Sequence, residues 1–128
     1  VLTFQVLSNE LSTPRILVCP DDTNRMYAPS FSSLANSNVS YFVGVDVTND
    51  TDPRAILSGD CNFEIAGKPV RSGLLSLWTN APVAWDSTRH VHNGNLGLGD
   101  GSVQGSTSSG MRNYFVDTGI ATNRLAIP

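Results

Sequence analysis

The clearest pattern of apolar and polar positions lies in residues 40–48, where large apolar side chains recur at every second position. Alternation with a period of two is typical of a β-strand, because successive side chains point to opposite faces of the sheet. The pattern therefore predicts a strand over residues 40–48. Its two faces carry the following residues: Tyr41, Val43, Val45 and Val47 on one, and Phe42, Gly44 and Asp46 on the other.

Shorter apolar runs predict further strands. Residues 15–19 contain four consecutive apolar side chains and are followed by Pro20, which predicts a short buried strand. Residues 55–57 and 61–65 predict two more strands on either side of a turn at Ser58-Gly59-Asp60. Another apolar segment follows at residues 74–78.

A β-hairpin is predicted around Asp100-Gly101, with one strand over residues 95–98 and the other over residues 102–106. Asp-Gly between two strand-like runs is among the strongest short-range hairpin patterns, because glycine accepts a positive φ and aspartate tolerates it. The four glycines at 94, 97, 99 and 101 lead into a strand and no helix, so they do not match a dinucleotide-binding loop.

Helices are predicted at both ends of the chain. Residues 1–13 fit a strand or a helix, and the helix is favoured, ending before Pro14. A last helix over residues 110–118 follows a Ser/Thr-rich cap and ends at Gly119. We also predict a helical turn near residues 30–35 and an edge contact by the tail, residues 123–128. Together these elements predict one α+β domain, residues 1–128, with an antiparallel sheet and flanking helices.

Composition narrows the class of protein. Only 15% of the residues are charged, below the roughly 25% of an average globular protein, which favours an extracytoplasmic or assembled protein. The net charge is −3 and the sole lysine is Lys68, so a nucleic-acid partner is not expected. No apolar run approaches the about 20 residues of a membrane-spanning helix. The start at Val1 without a methionine indicates a processed or truncated fragment.

The two cysteines, Cys19 and Cys61, leave two alternatives open. In an exported protein they would form a disulfide that closes a loop of about 42 residues and contributes roughly 3–4 kcal/mol. The other alternative is a pair of buried free thiols. We favour the disulfide, on condition that the protein is exported.

The sequence is compatible with two alternative metal sites. His90 and His92 would lie on one face of a strand and, with Asp86 or Asp100, would bind zinc. Structural histidines are more common than ligands, so no cofactor is expected. Calcium is the second alternative, although turn and capping roles explain its candidate ligands equally well. These candidates are Asp46, Asp50, Asp52 and Asp60.

No catalytic motif stands out. The chain has no Gly-x-Ser-x-Gly elbow, and neither cysteine lies in a nucleophile motif. Its nine aspartates and two glutamates provide no distinct carboxylate pair. We therefore expect the protein not to be an enzyme.

Several segments together resemble the globular head of bacterial type II secretion pseudopilin-like proteins, the group with a prepilin-type N-terminal cleavage and methylation segment and a C-terminal His-x9-Asp-Gly motif. In this chain the motif is His90 with Asp100-Gly101, flanked by Gly94-Asn95 and Ser102-Val103. The other matching segments are residues 4–14, Arg15 through Cys19-Pro20-Asp21-Asp22, residues 40–44, Leu57-Ser58-Gly59-Asp60 and Thr122-Asn123-Arg124-Leu125.

The resemblance implies a structural subunit that packs against copies of itself and other pseudopilin subunits in a filament or secretion apparatus. It implies a periplasmic or cell-surface head, anchored before assembly by an upstream apolar helix in the inner membrane, which this sequence lacks. It assigns no catalytic role; we expect His90, Gly94, Asn95, Asp100 and Gly101 to brace the hairpin, with His90 and Asp100 in contact.

A binding module for a carbohydrate or another small ligand is the alternative function. Aromatic side chains supply stacking platforms for sugars, and the candidates here are Trp78, Trp85, Tyr27 and Tyr41. Exposure of the two tryptophans side by side would favour this alternative, whereas burial of both, which we expect, would assign them to the core.

Overall fold

A computed structural model describes residues 1–48 and 50–128. Helices α1 and α2 open the chain at Leu2–Val6 and Ser8–Leu11, and α3 spans Ser108–Asp117. Short 3-10 turns lie at Pro14–Leu17, Phe31–Ser33 and Asn36–Asn38. The strands are β1 Tyr41–Gly44, β2 Ile56–Asp60, β3 Phe63–Ile65, β4 Lys68–Pro69, β5 Gly73–Trp78, β6 Val83–Trp85, β7 Asn93–Leu98, β8 Val103–Thr107 and β9 Thr122–Ile127. Across these residues no helix has both the length and the apolar character needed to cross a membrane.

The strands form two antiparallel sheets. The larger has six strands in the order β5-β9-β1-β2-β7-β8, and the smaller has three in the order β4-β3-β6. Helix α3 packs on β6, where Arg112 donates a hydrogen bond to the Val83 carbonyl at 2.8 Å. The fold is therefore a small mixed domain of antiparallel sheets and few helices, as the α+β prediction requires.

The main core lies between the large sheet, the small sheet and α3. Phe42, Phe63 and Trp85 form a chain of edge-to-face aromatic contacts, with ring centroids 5.6 and 6.3 Å apart. Met111 and Phe115 are fully buried on α3 and join this cluster. Burial of each such large side chain stabilises the fold by roughly 1.5–3 kcal/mol, which makes this cluster the main source of stability.

A second, smaller cluster organises the first forty residues. Leu17, Leu34 and Val39 are buried in it, with Phe4 and Leu11 from the N-terminal helices packed against them. The predicted N-terminal helix is confirmed as two short helices, and the predicted turn near residues 30–35 is confirmed by the 3-10 turn at Phe31–Ser33.

The predicted hairpin is confirmed. Strands β7 and β8 pair with Leu96 opposite Gln104 and Gly97 opposite Val103. Gly101 has φ +84°, a conformation that glycine adopts without steric strain. The Asp100 carboxylate accepts a hydrogen bond from the Ser102 amide at 2.9 Å, which fixes the turn.

The C-terminal helix is also confirmed, as α3. The Thr107 side chain accepts a hydrogen bond from the Gly110 amide at its start, and Gly119 follows its end with φ +66°. The tail is placed differently from the prediction. β9 pairs with both β5 and β1, so it lies inside the large sheet and not at its edge.

Two further predictions are wrong. Residues 15–19 do not form a strand, because Pro14 and the capping Thr13 side chain start a 3-10 turn that buries Leu17. Ser58-Gly59-Asp60 is not a turn, because β2 continues through it. Gly59 is required there by packing: a Cβ at this position would lie 2.7–2.9 Å from the Phe42 and Leu96 side chains.

Candidate functional site

The loop between β6 and β7 contains the most unusual backbone in the protein. His90, Val91 and His92 have φ of +52°, +51° and +61°, the left-handed region that L-residues avoid. Each such residue costs about 1–2 kcal/mol, so tertiary contacts must hold this conformation. We call residues 89–92 the His90 turn. It is not the strand that we predicted, so His90 and His92 do not share a strand face.

Two asparagine side chains hold the His90 turn in place. Asn93 Nδ2 donates hydrogen bonds to the carbonyls of His90 and Val91, at 3.3 and 3.1 Å. Asn62, which is buried, donates from Nδ2 to the Arg89 carbonyl and the Asn93 carbonyl, each at 3.2 Å. The carbonyls that the left-handed backbone leaves without regular partners are thereby satisfied.

The His90 imidazole lies against a thiol and two carboxylates. Its Nε2 atom is 3.3 Å from Cys19 Sγ and 3.5 Å from Asp60 Oδ2. Its Nδ1 atom is 3.7 Å from Asp21 Oδ2, and the same oxygen accepts a hydrogen bond from the His90 amide at 2.6 Å. One potential ligand atom from each of Cys19, Asp60 and His90 lies within 4.8 Å of the others, and we call these residues the Cys19–Asp60–His90 cluster.

Asp60 is the most deeply buried member of the cluster, with 1% of its surface exposed. Its Oδ2 atom accepts hydrogen bonds from the amide of Asn95 at 2.7 Å and from the Asn95 side chain at 3.1 Å. Its Oδ1 atom is also buried and has no hydrogen-bond partner among the described residues. Because an unsatisfied buried acceptor costs about 1–3 kcal/mol, and more when charged, this oxygen needs an explanation.

Arg89 forms a buried polar network beside the cluster. Its guanidinium donates a hydrogen bond to the Ser40 carbonyl at 3.1 Å and lies 3.2 Å from Asp22 Oδ2. It also contacts Cys61 Sγ at 3.5 Å, and this thiol donates to the Ser40 carbonyl at 2.9 Å.

The favoured disulfide is therefore a wrong prediction, since Cys19 and Cys61 are both buried free thiols. Each sulfur has its own polar partners: Cys19 contacts His90, while Cys61 contacts Ser40 and Arg89. Spacing in the sequence could not reveal these partners, because they come from segments far from either cysteine.

Burial and negative charge dominate the electrostatics of the cluster. Burial raises the pKa of the Cys19 thiol, a hydrogen bond from the Asp21 backbone opposes this, and the charge of Asp60 raises the pKa further. Burial, followed by the charges of Cys19 and Asp60, raises the pKa of Tyr41 to about 12. The raised pKa of Cys19 differs from the pKa of a catalytic cysteine, which nearby cations lower.

The other residues predicted for a zinc site lie apart from the cluster. His92 is exposed, with Nδ1 3.4 Å from the Trp85 carbonyl. Asp86 caps the following turn by accepting a hydrogen bond from the Thr88 amide at 2.8 Å. Asp100 lies at the exposed tip of the hairpin, and the full length of β7 separates it from His90. The expected contact between His90 and Asp100 is therefore not formed.

The predicted calcium ligands are also dispersed. Asp46 forms an exposed ion pair with Arg124, and Asp52 forms one with Arg54. Each arginine lowers the pKa of its aspartate through direct hydrogen bonds. Asp50 is exposed, and Asp60 is buried in the cluster described above.

Gly94 and Asn95 connect the cluster to the hairpin. Gly94 is buried against the Trp85 ring, where a Cβ would lie 2.6–2.7 Å from ring carbons. Asn95 holds Asp60 as described above. An open groove of about 260 Å³ runs past them to His90 and is lined by His90, Asn93, Gly94, Asn95, Gly105, Ser106 and Thr107.

Sequence reasoning missed that Cys19 and Asp60 are the neighbours of His90. The only indication was that Cys19-Pro20-Asp21-Asp22, Asp60, His90 and Asn95 all belong to the segments that carry the pseudopilin resemblance. In the fold these segments meet at one place, although Cys19 and His90 are 71 positions apart.

The fold and site define an α+β domain with antiparallel sheets and a partly buried Cys-His-Asp cluster. No protein-family model, curated protein or solved structure matches this chain.

Proposed function

We propose that this protein is a structural subunit of a pseudopilus or type IV pilin-like filament, acting by packing against copies of itself and related subunits. In this proposal no chemical step takes place. The full-length chain would be held at the inner membrane by an upstream helix before assembly, with this domain in the periplasm or at the cell surface. The pseudopilin resemblance of the segments that converge on His90 supports the proposal.

The observation that carries the proposal is the apolar outer face of β5. Leu75 and Leu77 point into the core, whereas Leu74 and Trp78 alternate with them and are 63% and 54% exposed. Strand β5 is also an edge strand of the large sheet, bonded to β9 on one side. Exposed apolar residues along an edge strand are a surface that another protein chain would cover.

This surface extends from the edge onto the neighbouring strands. Leu74 pairs with Ala126 of β9, and Ala126 pairs with Val43 of β1. Residues paired directly across antiparallel strands point to the same face, so these three small or apolar side chains form a row. A subunit docked on β5 would therefore contact the sheet face as well as the strand edge.

Site-specific photo-crosslinking of the full-length protein in its native cell envelope tests this proposal. A photoreactive amino acid at Trp78 is expected to form adducts with a second copy of this chain or with a subunit that carries a similar domain. The matched control is the same amino acid at Val116, an exposed apolar position on α3. Adducts at Trp78 that are no more frequent than at Val116 would contradict the proposal.

The carbohydrate-binding alternative has two observations in its favour, the exposure of Trp78, which corrects the expected burial of both tryptophans, and the exposure of Tyr27. Trp85 is 2% exposed and lies in the core, so the two tryptophans do not form a paired platform. Because Trp85 is shielded, quenching of exposed tryptophan fluorescence by added oligosaccharides would report on Trp78. Saturable quenching that Trp78→Phe abolishes would favour a binding module over an assembly subunit.

A further inference from the structure

We propose that Cys19 Sγ, the Asp60 carboxylate and His90 Nε2 bind one divalent transition-metal ion, with Zn²⁺ the expected metal. Thiolate, imidazole and carboxylate are the three ligand types that zinc takes in proteins, and a soft thiolate disfavours calcium and magnesium. This inference is independent of the proposed assembly function, and the site differs from the His90, His92, Asp86 and Asp100 combination weighed from the sequence.

Two of the three distances between the ligand atoms are close to those of tetrahedral coordination. Metal–ligand bonds of about 2.0–2.3 Å at the tetrahedral angle place adjacent ligand atoms about 3.3–3.6 Å apart. Cys19 Sγ and His90 Nε2 are separated by 3.3 Å, and His90 Nε2 and Asp60 Oδ2 by 3.5 Å. The third pair, Cys19 Sγ and the Asp60 carboxylate, lies within 4.8 Å, so binding would require side-chain adjustment to bring all three ligand atoms to one ion.

The poorly compensated charge of the buried Asp60 carboxylate is the independent observation that points to a cation. Asp60 is almost fully buried, and Oδ1 has no hydrogen-bond partner among the described residues, whereas Oδ2 is bound by Asn95. The nearby cation Arg89 is directed at Asp22, Ser40 and Cys61. A metal ion beside the Asp60 carboxylate would compensate for the charge that burial leaves poorly solvated.

A residue that is not itself a ligand, Asp21, orients the His90 ring, as such residues do in known metal sites. A histidine ligand is commonly held by a carboxylate on its second ring nitrogen, and Asp21 occupies this position for His90. Asp21 contacts both His90 Nδ1 and the His90 amide, which leaves Nε2 directed toward Cys19 and Asp60. The strained left-handed backbone of the His90 turn thus has a role in presenting the ligand.

Three protein ligands leave one coordination position for water or for a donor from another molecule. His90 lines the open groove beside β7 and β8, which gives solvent access to this side of the cluster. Binding would also tie the N-terminal segment to β2 and to the His90 turn. Because the thiol must lose its proton to bind, metal uptake would release a proton to solvent.

Cobalt substitution of the whole chain provides the direct test. After treatment with a chelator, the protein is titrated with Co²⁺ and then with Zn²⁺, and the absorption spectrum is recorded. We expect one equivalent of Co²⁺ to give a thiolate-to-cobalt charge-transfer band and intense visible bands of tetrahedral coordination, which one equivalent of Zn²⁺ removes. A saturated wild-type protein without the charge-transfer band would overturn the proposal.

Variants separate this site from adventitious binding. Cys19→Ser is expected to abolish the charge-transfer band, and Asp21→Asn to weaken Zn²⁺ binding by about 10–100-fold through loss of the outer contact. His92→Gln, which replaces the exposed neighbouring histidine, is the matched control and should bind as wild type does. Because Asp21 is exposed, its variant is expected to fold even if Cys19→Ser does not. Equal Zn²⁺ affinity of wild type and Asp21→Asn, or loss of binding in His92→Gln, would contradict the assignment.

Discussion

The hairpin–helix region, residues 93–117, and the His90 turn are neighbours in the chain, yet their backbones are determined in opposite ways. In the hairpin–helix region, Gly101 takes the one positive φ of the turn and Thr107 caps α3, so each residue suits its local conformation. In the His90 turn, three consecutive non-glycine residues adopt a left-handed conformation that their side chains disfavour.

The difference lies in what each region contacts. The hairpin–helix region contributes Leu96, Met111 and Phe115 to an apolar core, and such cores tolerate many substitutions that keep volume and pattern. The His90 turn is held by directional polar contacts to buried groups, including Asn62, Asp22 and Ser40. Strain that is maintained by specific partners is typical of functional sites, and the metal ligand proposed at His90 agrees with this.

Breaking the polar support of the His90 turn is expected to have the largest effect. Arg89→Met leaves the buried Asp22 carboxylate with only the partly exposed Arg25 guanidinium, 3.3 Å away, as its ionic partner. Loss of a partner from a buried ion pair lowers the free energy of unfolding by about 3–5 kcal/mol. Urea denaturation, followed by circular dichroism, measures this loss in the free energy of unfolding.

The double variant Arg89→Met with Asp22→Asn is the control for this effect. We expect it to be more stable than Arg89→Met alone, because the buried negative charge is removed together with its partner. A loss in Arg89→Met below about 1 kcal/mol would mean that Arg25 suffices for Asp22 and that the His90 turn does not depend on Arg89.

Removing a glycine from the hairpin and adding one to the His90 turn are expected to change the free energy of unfolding in opposite directions. Gly101→Ala places a Cβ at φ +84° and lowers the free energy of unfolding by about 1–2 kcal/mol. Val91→Gly relieves a left-handed valine that is 80% exposed and raises stability by about 0.5–1 kcal/mol. Thermal unfolding of both variants measures the contrast.

Val103→Gly is the matched control for Val91→Gly, because Val103 is also exposed but lies in the regular strand β8. We expect it to destabilise by about 0.5–1 kcal/mol, the usual effect of glycine in a strand. If Val91→Gly destabilised the protein as Val103→Gly does, the left-handed turn would not be strained and the comparison of the two regions would fail.

The smallest effect is expected at the exposed ion pair of Asp46 and Arg124, which provides a reference for the buried pair at Arg89. Hydrogen bonds from Arg124 lower the pKa of Asp46 in the folded state. A lowered folded-state pKa means that the stabilisation is present above the unfolded value of about 3.9 and is lost as the pH falls through the folded value.

We therefore expect Asp46→Asn to be slightly less stable than wild type at neutral pH, with the difference vanishing in the acid range below the usual aspartate pKa. Added salt should reduce the difference as well, because both side chains are exposed to solvent. Thermal melts at several pH values and salt concentrations measure this, and a difference that persisted in acid would rule out the ion pair as its source.

Local rules predicted the elements whose structure depends on nearby residues. The hairpin at Asp100-Gly101, the helix before Gly119 and the strand that begins at Tyr41 were predicted correctly, because turn, cap and alternation lie within a few positions. The predicted strand at residues 40–48 is nevertheless longer than β1, which ends at Gly44, where a Cβ would clash with the Ile56 carbonyl oxygen.

Most of the wrong predictions concern residues whose partners are distant in the chain. The strand predicted at residues 15–19 is the exception, because the adjacent Thr13 and Pro14 start a 3-10 turn there. Ser58-Gly59-Asp60 has the composition of a turn, but pairing with β1 and β7 keeps it extended. The tail was predicted at an edge, yet β9 bonds to two strands that are remote in sequence. In the site, His90 was identified as important, while the positions of Cys19 and Asp60 next to it followed from no local pattern.

The amino-acid sequence alone therefore determined that the chain is an α+β domain with a tight hairpin and a capped C-terminal helix, since these features depend on short-range sterics and hydrogen bonds. Only the tertiary structure decided which thiol, carboxylate and imidazole meet. Their meeting requires the N-terminal segment, β2 and the His90 turn to be brought together, and the buried contacts that achieve this form only when the whole domain has folded.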